Sequence, residues 1–220
     1  MQKGVNFAYF GTGNLSVIVL EELKKKSFLP KLIVTVPDKP QGRKMILTAS
    51  RAKIWAQKEN IPFLELDSLK NPDTVDLIKK YSDCYDLFLV VSYGKIIPKN
   101  ILDIPKYKTL NLHPSILPKL RGASPIKSAI LNEDETGVSI MRLDEELDHG
   151  PIVFQEKINI ENWPPYEEDL EKILGVIGGE RFAEIIPSWI EGKIDEEEQD
   201  HSLATFCGKI KKTDAEINLS

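Results

Sequence analysis

Cysteine is scarce in this chain. Among 220 residues there are two, Cys84 and Cys207. With no charged-then-apolar segment before the strand-like Val5–Phe10, two such distant thiols support neither a disulfide framework nor a zinc knuckle, and a signal peptide is not expected. Long hydrophobic runs are missing as well. The longest, Leu87-Phe-Leu-Val-Val91, has five residues, far short of the ~20 that a membrane helix needs. A cytoplasmic protein without a membrane partner is therefore expected. Basic charge does not dominate either: the formal net charge is −5, which argues against indiscriminate nucleic-acid binding. Local basic groups remain possible partners for an anion, Lys39, Arg43, Lys44, Arg51 and Lys53 in one stretch and Lys209, Lys211 and Lys212 in another. The acidic run Asp195-Glu-Glu-Glu-Gln-Asp200 reads as a solvated face. What is present is ordinary for a globular protein, 41% hydrophobic and 29% charged residues, at a length that suits one large domain or one domain with a small appendage.

Hydrophobic patterning predicts strands at Val5–Phe10, Lys31–Val36, Ile61–Leu64, Asp86–Val91 and Thr109–Leu112. Helices are predicted between them at Leu15–Lys26, Ser50–Asn60, Pro72–Tyr81 and, after the last strand, Pro125–Asn132. This alternation argues for right-handed crossovers and a parallel sheet. The unbroken apolar run ending at Val91 suits a strand covered on both faces. Two further strands, Gly137–Leu143 and Pro151–Ile158, flank a loop and read as an antiparallel pair appended to that sheet. A long helix is predicted over Pro165–Ile190, with an apolar stripe of Tyr166, Leu170, Ile173, Leu174, Ile177, Phe182, Ile185, Ile186 and Trp189. Gly175, Gly178 and Gly179 each cost such a helix about 1 kcal/mol relative to alanine, so close packing or a kink is expected there. The fold class is α/β, Rossmann-like, with little periodicity after Asp200.

Gly11-Thr-Gly-Asn-Leu-Ser16 lies between strand and helix, where backbone N–H groups and the helix dipole favour an anion. It fits a dinucleotide fingerprint only in part, because Ser16 stands where the third glycine belongs. A tight turn without a ligand suits the loop equally. The stretch richest in chemistry is Asn111-Leu-His113, followed by Pro114-Ser-Ile-Leu-Pro118-Lys-Leu-Arg121-Gly122. Alternation puts Asn111 and His113 on one face at the end of a buried strand, where α/β proteins place ligands. An amide and an imidazole side by side can stabilise one developing oxyanion, as acyl transfer requires. A histidine that merely bonds a neighbouring carbonyl is the structural alternative.

Between the last two strands, Asp144-Glu-Glu-Leu-Asp148-His149-Gly150 holds four acids in five positions. Metal-ligand spacing is absent, so no metal is expected. Asp148, just before the turn, is the acid placed to orient a histidine or a water, while Asp144, Glu145 and Glu146 read as solvated loop residues. Val91-Ser-Tyr-Gly-Lys-Ile-Ile-Pro98 could wall a pocket for a flat heterocycle or simply pack strand against helix. No activated serine or cysteine nucleophile is visible.

These stretches together resemble the formyltransferases that use 10-formyltetrahydrofolate. The family signature, an Asn-x-His pair with a Ser-Leu-Leu-Pro-like run and a distant aspartate, stands here as Asn111-Leu-His113, Ser115-Ile-Leu-Pro118 and Asp148-x-Gly150. Arg121-Gly-Ala-Ser-Pro-Ile126, Gly137-Val-Ser-Ile-Met141 and Pro37-Asp-Lys-Pro-Gln-Gly-Arg43 resemble the tRNA-formylating branch. The resemblance implies direct attack of the α-amine of methionyl-tRNA on the formyl carbon, through a tetrahedral intermediate, as part of translation initiation. Asn111 and His113 would hold the oxyanion, and Asp148 would orient His113 or a water and help remove the amine proton.

The folate cosubstrate would lie against Tyr93, Gly94, Ile96, Ile97, Pro98, Ser115, Ile116, Leu117, Pro118, Asp144 and Leu147. Lys39, Arg43 and Lys44 would contact tRNA. Gly11, Thr12, Gly13, Asn14, Arg121 and Gly122 would form the amine pocket, although the glycine-rich turn is closer to that of glycinamide ribonucleotide enzymes. The implied organisation is a catalytic domain over 1–204 and a tail over 205–220, where the family begins a C-terminal tRNA-gripping domain, with a monomer expected. Formyl transfer to a sugar nucleotide or other small amine is the alternative reaction. A folate- or tRNA-binding remnant without turnover is the alternative of another class.

Overall fold

The computed structural model describes residues 4–42, 44–82, 84–210 and 214. In chain order the elements are β1 (Phe7–Gly11), α1 (Asn14–Lys25), β2 (Leu32–Thr35), β3 (Lys39–Gln41), β4 (Ile46–Thr48), α2 (Arg51–Lys58), β5 (Phe63–Glu65), α3 (Thr74–Lys79) and β6 (Leu87–Val91). They continue with α4 (Lys99–Leu102), β7 (Thr109–His113), β8 (Arg121–Gly122), α5 (Pro125–Asn132), β9 (Thr136–Arg142), β10 (Ile152–Ile158), α6 (Glu167–Ile190) and β11 (Phe206–Cys207). Seven strands form one sheet in the order β10-β9-β7-β6-β1-β2-β5. Strands β7, β6, β1, β2 and β5 run parallel, and β9 joins them antiparallel with β10 beside it.

Side-chain alternation explains why β1 and β6 are unbroken apolar runs. Phe7, Tyr9, Leu87, Leu89 and Val91 face one core, with α1, α2 and α6. Ala8, Phe10, Phe88 and Val90 face a second core with Ile78, Tyr85 and Ile101. Both sheet faces are covered, so every position in these strands is apolar. On β7 the alternation places Leu110 and Leu112 in the first core. Asn111 pairs with Val90 and so points to the opposite face.

Helix α6 runs unbroken through its three glycines. A Cβ on Gly175 would meet Ile18 and Leu15, one on Gly178 would meet Leu112, and one on Gly179 would meet Glu22 and Val19. The glycines thus let α6 lie closely against α1 and β7, offsetting their low helix propensity with packing. Substituting Gly178 by alanine should cost about 1–2 kcal/mol, because the obstacle is a leucine side chain that can shift. A chemical-denaturation midpoint equal to that of the parent chain would refute this packing argument. The helix ends in a Schellman arrangement: Gly192, at φ 68°, donates its N–H to the Trp189 carbonyl, and the Lys193 N–H reaches Ser188, satisfying two carbonyls of the last turn.

Several expected boundaries move for identifiable reasons. The first strand begins at Phe7 rather than Val5, since the Asn6 N–H donates to Asp86 Oδ2 at 2.8 Å and its side chain to Ser82 and Cys84. Tyr166 is 84% exposed and leaves the expected apolar stripe, serving as the cap of α6 instead. The Pro37–Arg43 stretch was not expected to hold strands, yet β3 and β4 pair as a hairpin outside the main sheet. Pro40 is tolerated there because a two-stranded ribbon leaves N–H positions unpaired. Arg43 lies outside the described residues.

The expected boundary at 204/205 falls inside a docked segment. Strand β11 pairs parallel with β8, and Leu120 N–H donates to Thr205 Oγ1 at 2.8 Å. The acidic run is likewise more than a solvated face: Arg142 donates twice to the Glu196 carboxylate, at 2.6 and 2.9 Å, and Glu197 bridges Ile152 through both backbone bonds.

Arg181 on α6 donates to Glu156 of β10 at 2.6 Å, and holds that carboxyl below its ordinary 4.5. A folded-state pKa lowered in this way contributes stability above the unfolded value that is lost as pH falls through the folded one. The stability gap between parent and Glu156→Gln chains should therefore close as pH drops from about 5 toward 3. The effect is small, since the pair is partly exposed. A gap independent of pH over that window would rule the linkage out.

Candidate active site

Strand β7 ends at the carboxyl edge of the sheet, beside β6, where the chain changes winding direction between β1 and β6. This is the switch-point position at which open α/β sheets form clefts. Asn111 and His113 stand there on one face, both buried. Together with Asp148 they line a cleft of ≈ 530 Å³, within the usual range for a small-molecule site.

His113 Nε2 lies 2.9 Å from the Leu120 carbonyl oxygen. A carbonyl only accepts, so Nε2 carries a hydrogen and Nδ1 is the nitrogen left for proton exchange. Asp148 Oδ1 faces that nitrogen at 3.7 Å. The other oxygen, Oδ2, accepts the Gly122 N–H at 2.8 Å, which fixes the carboxylate's orientation. Asp148 itself has φ 48°, a left-handed conformation that non-glycine residues seldom adopt without being held. The Asn111 amide has no hydrogen-bond partner among the described residues, so its N–H₂ is free for a ligand in the cleft.

The cleft walls mix apolar side chains with charged ones, among them Lys95, Lys127, Glu145, Glu146, Glu167 and Glu171. Val90, Tyr93, Ile96 and Ile97 come from the end of β6 and the turn after it, and Leu143, Asp144 and Leu147 come from the β9–β10 loop. Ile96 and Leu147 are largely exposed over the opening. The Tyr93 hydroxyl is buried without a partner among the described residues, and burial pushes it well above its ordinary value. Asp144 is not simply solvated: it accepts from His149 Nδ1 at 2.7 Å and from the Glu146 N–H at 2.9 Å.

Residues 4–175 match the Formyl transferase family. The chain belongs to the formyl transferase family. A methionyl-tRNA formyltransferase from Thermotoga maritima is 36% identical to this formyltransferase over 217 residues, covering 98% of the chain and 68% of that relative. Among solved structures, a sugar N-formyltransferase from a Shewanella species superposes with a TM-score of 0.70 at 14% identity, covering 99% of this chain and 82% of that one. A sugar 3N-formyl transferase, determined in the presence of dTDP and 5-N-formyl-THF, gives 0.65 at 23% identity over 98% of this chain and 72% of that one. At those identities the structural likeness speaks to the fold alone.

Of the site residues expected from sequence, this formyltransferase brings Asn111, His113, Asp148, Tyr93, Gly94, Ile96, Ile97, Asp144, Leu147 and Gly122 to the cleft. Ser115, Ile116, Leu117 and Pro118 are not among its lining residues. They form a turn that packs against β9, where Ser139 Oγ accepts the Leu117 N–H at 3.1 Å and donates to the Ser115 carbonyl at 2.7 Å. Pro98 precedes α4 as its cap. Arg121 is buried away from the cleft, donating to Gln199 and His201. It thus stands inside the protein and is not among the residues that line the cleft.

Gly11, Thr12, Gly13 and Asn14 are not among the lining residues, although Leu15 and Glu171 are, and the turn's anion preference is met from within the chain. Leu15 N–H and Asn14 Nδ2 donate to the two oxygens of Glu171 at 3.0 and 2.9 Å. Gly13, the cap of α1, makes no side-chain cap bond, so Glu171 takes over that role. Thr12 Oγ1 donates to the Tyr93 carbonyl at 3.2 Å, and Gly11 is packed against Ser16 and Tyr9. Nothing in the spacing of Glu171 from Gly13 marks this cap, which only the packing of α6 on α1 creates.

Proposed function

We propose that this formyltransferase transfers the formyl group of 10-formyltetrahydrofolate to the α-amine of methionyl-tRNA, the formylation used in translation initiation. The observation that carries the reading is the meeting of Asn111, His113 and Asp148 in one cleft, beside the apolar Ile96, Ile97 and Leu147. The methionyl-tRNA formyltransferase relative, matched over nearly the whole chain, supports the acceptor. The formyl-folate present with the sugar enzyme supports the donor class.

The cleft residues fit a folate. A flat heteroaromatic ring needs apolar faces and in-plane hydrogen-bonding groups, and the walls supply Ile96, Ile97 and Leu147 beside the polar Ser92, Asp144 and Asn111. Folate is a substrate here: the amine attacks its formyl carbon, the C–N10 bond of the tetrahedral intermediate then breaks, and tetrahydrofolate leaves with N10 taking up a proton, balancing the one lost by the amine.

Negative charge develops on the formyl oxygen as the amine adds. The Asn111 N–H₂, unpaired and buried, is preorganised to donate to it, and such donors gain strength in a water-poor site. The amine must also lose a proton. His113 Nδ1 is the nitrogen available to accept or relay it, and the Asp148 carboxylate beside it stabilises the imidazolium that results. The anchored Nε2–H keeps the ring from rotating away during transfer. No covalent intermediate with the chain is required, which agrees with the lack of an activated nucleophile at the cleft.

The β3–β4 hairpin supports contact with the tRNA: Lys39 and Lys44 are exposed, as are Met45, Ile46 and Leu47. The self-capped α1 terminus counts against a phosphate-bearing small amine. Incubating the chain with 10-formyltetrahydrofolate and methionyl-tRNA should give formylmethionyl-tRNA, and Asp148→Ala should lower turnover by at least 10²-fold. Equal turnover by the two chains would remove Asp148 from the mechanism. Transfer to a small amine but not to methionyl-tRNA would overturn the acceptor.

A further inference from the structure

Gln199 sits in the acidic run after α6, yet it is 5% exposed. Its amide is fully engaged. Nε2 donates to the Gly150 carbonyl at 2.6 Å and to the Asp148 carbonyl at 3.1 Å. On the other side, Oε1 accepts from Arg121 Nη2 at 2.6 Å and from Arg121 Nε at 3.2 Å. Arg121, itself 3% exposed, is followed by Gly122, whose N–H holds the Asp148 carboxylate. The contacts close a ring: Asp148 carboxylate, Gly122, Arg121, Gln199, and back to the Asp148 carbonyl. Asp148 is thus held at both its side chain and its backbone.

We propose that Gln199 is a positioning residue for Asp148, keeping the carboxylate aimed at His113 by clamping the loop from the far side of the cleft; this rests on the catalytic role given to Asp148 above. Three features argue for this over a merely structural bond. The left-handed conformation of Asp148 needs neighbours that over-determine it. The two carbonyls Gln199 grips flank the turn that sets the Asp148 backbone. Only a side-chain amide both accepts from the Arg121 fork and donates to two carbonyls; a carboxylate accepts only. Gln199 is brought there by the Ile152–Glu197 bridge, which ties its segment to the start of β10.

Two substitutions separate positioning from folding. Gln199→Glu keeps the size and pairs its charge with Arg121 but cannot donate to the loop. Gln199→Met keeps approximate volume and neither accepts nor donates. Formyl transfer from 10-formyltetrahydrofolate to methionyl-tRNA is measured for both, beside the parent and Asp148→Ala, with activity normalised to the folded fraction found by titration with a folate analogue. The expected result is a kcat per folded molecule lowered on the order of 10–100-fold in both variants, with KM for the donor little changed, as for a misplaced catalytic group. If Asp148→Ala is inactive while either Gln199 variant keeps parental kcat, the positioning role is overturned and the proposed function stands. If Asp148→Ala is as active as the parent, the role of Asp148 fails, and the positioning role with it.

Discussion

Asn111→Ala is expected to lower kcat for formyl transfer by 10²–10³-fold, equivalent to ~2.7–4 kcal/mol of lost transition-state stabilisation. The amide is buried, lines the cleft and has no partner among the described residues. Its removal therefore breaks no internal hydrogen bond, and stability should change little. KM for the folate should also change little, because the interaction develops with the charge and is absent from the ground state. His113→Ala should cost a similar factor for a different reason. It removes the nitrogen proposed to handle the proton, while the Leu120 carbonyl keeps its bond from Cys207 Sγ at 3.2 Å. The double variant should lose much less than the product of the two factors, since both groups act on one transition state. Single-turnover rates at saturating folate are the measurement. An Asn111→Ala rate within threefold of the parent would remove the amide from the oxyanion site.

The largest effect on stability is expected at Gly150. A Cβ there would meet the Arg142 carbonyl oxygen and carbon well inside contact distance. Unlike Leu112 beside Gly178, this obstacle is backbone and cannot turn aside. Gly150→Ala should cost about 3 kcal/mol, the upper range for forced overpacking, which lowers Tm by roughly 6–12 °C in a chain of this size. Gly150 is two positions beyond Asp148, and its carbonyl is one of the two that Gln199 holds. Activity of the residual folded protein should fall as well. Gly208, with nothing within 4 Å of an added Cβ, is the control, and its alanine variant should melt near the parent. Equal melting of both variants would show that the β9–β10 loop yields more easily than its geometry implies.

Much of the candidate constellation was legible in the chain because it depends on short-range regularities. Asn111 and His113 are two apart on a strand, so alternation alone puts them on one face. The cleft at the strand ends follows from the α/β alternation, and Asp148 stands out as the acid beside a Gly-Pro turn. Other expectations failed where function depended on what packs against a segment. Ser115–Pro118 carry a motif, yet the backbone of Ser115 and Leu117 is bonded to Ser139 and the stretch is not among the lining residues. Arg121 reads as a ligand-binding cation, yet Gln199 and His201 draw it inward.

The sequence by itself determined the sheet, its two buried faces, the antiparallel extension and the pairing of Asn111 with His113. These rest on periodicity, which acts within a few residues and needs no partner to be read. Only the tertiary structure decided that Glu171 caps α1, that the chain after α6 returns to dock beside Gly122, and that Gln199 holds the Asp148 loop. Each of those contacts joins residues about 50 to 160 positions apart, through side-chain hydrogen bonds or, at Gly122, backbone strand pairing. Such bonds form only after burial has brought the groups together and made an unpaired donor or acceptor costly.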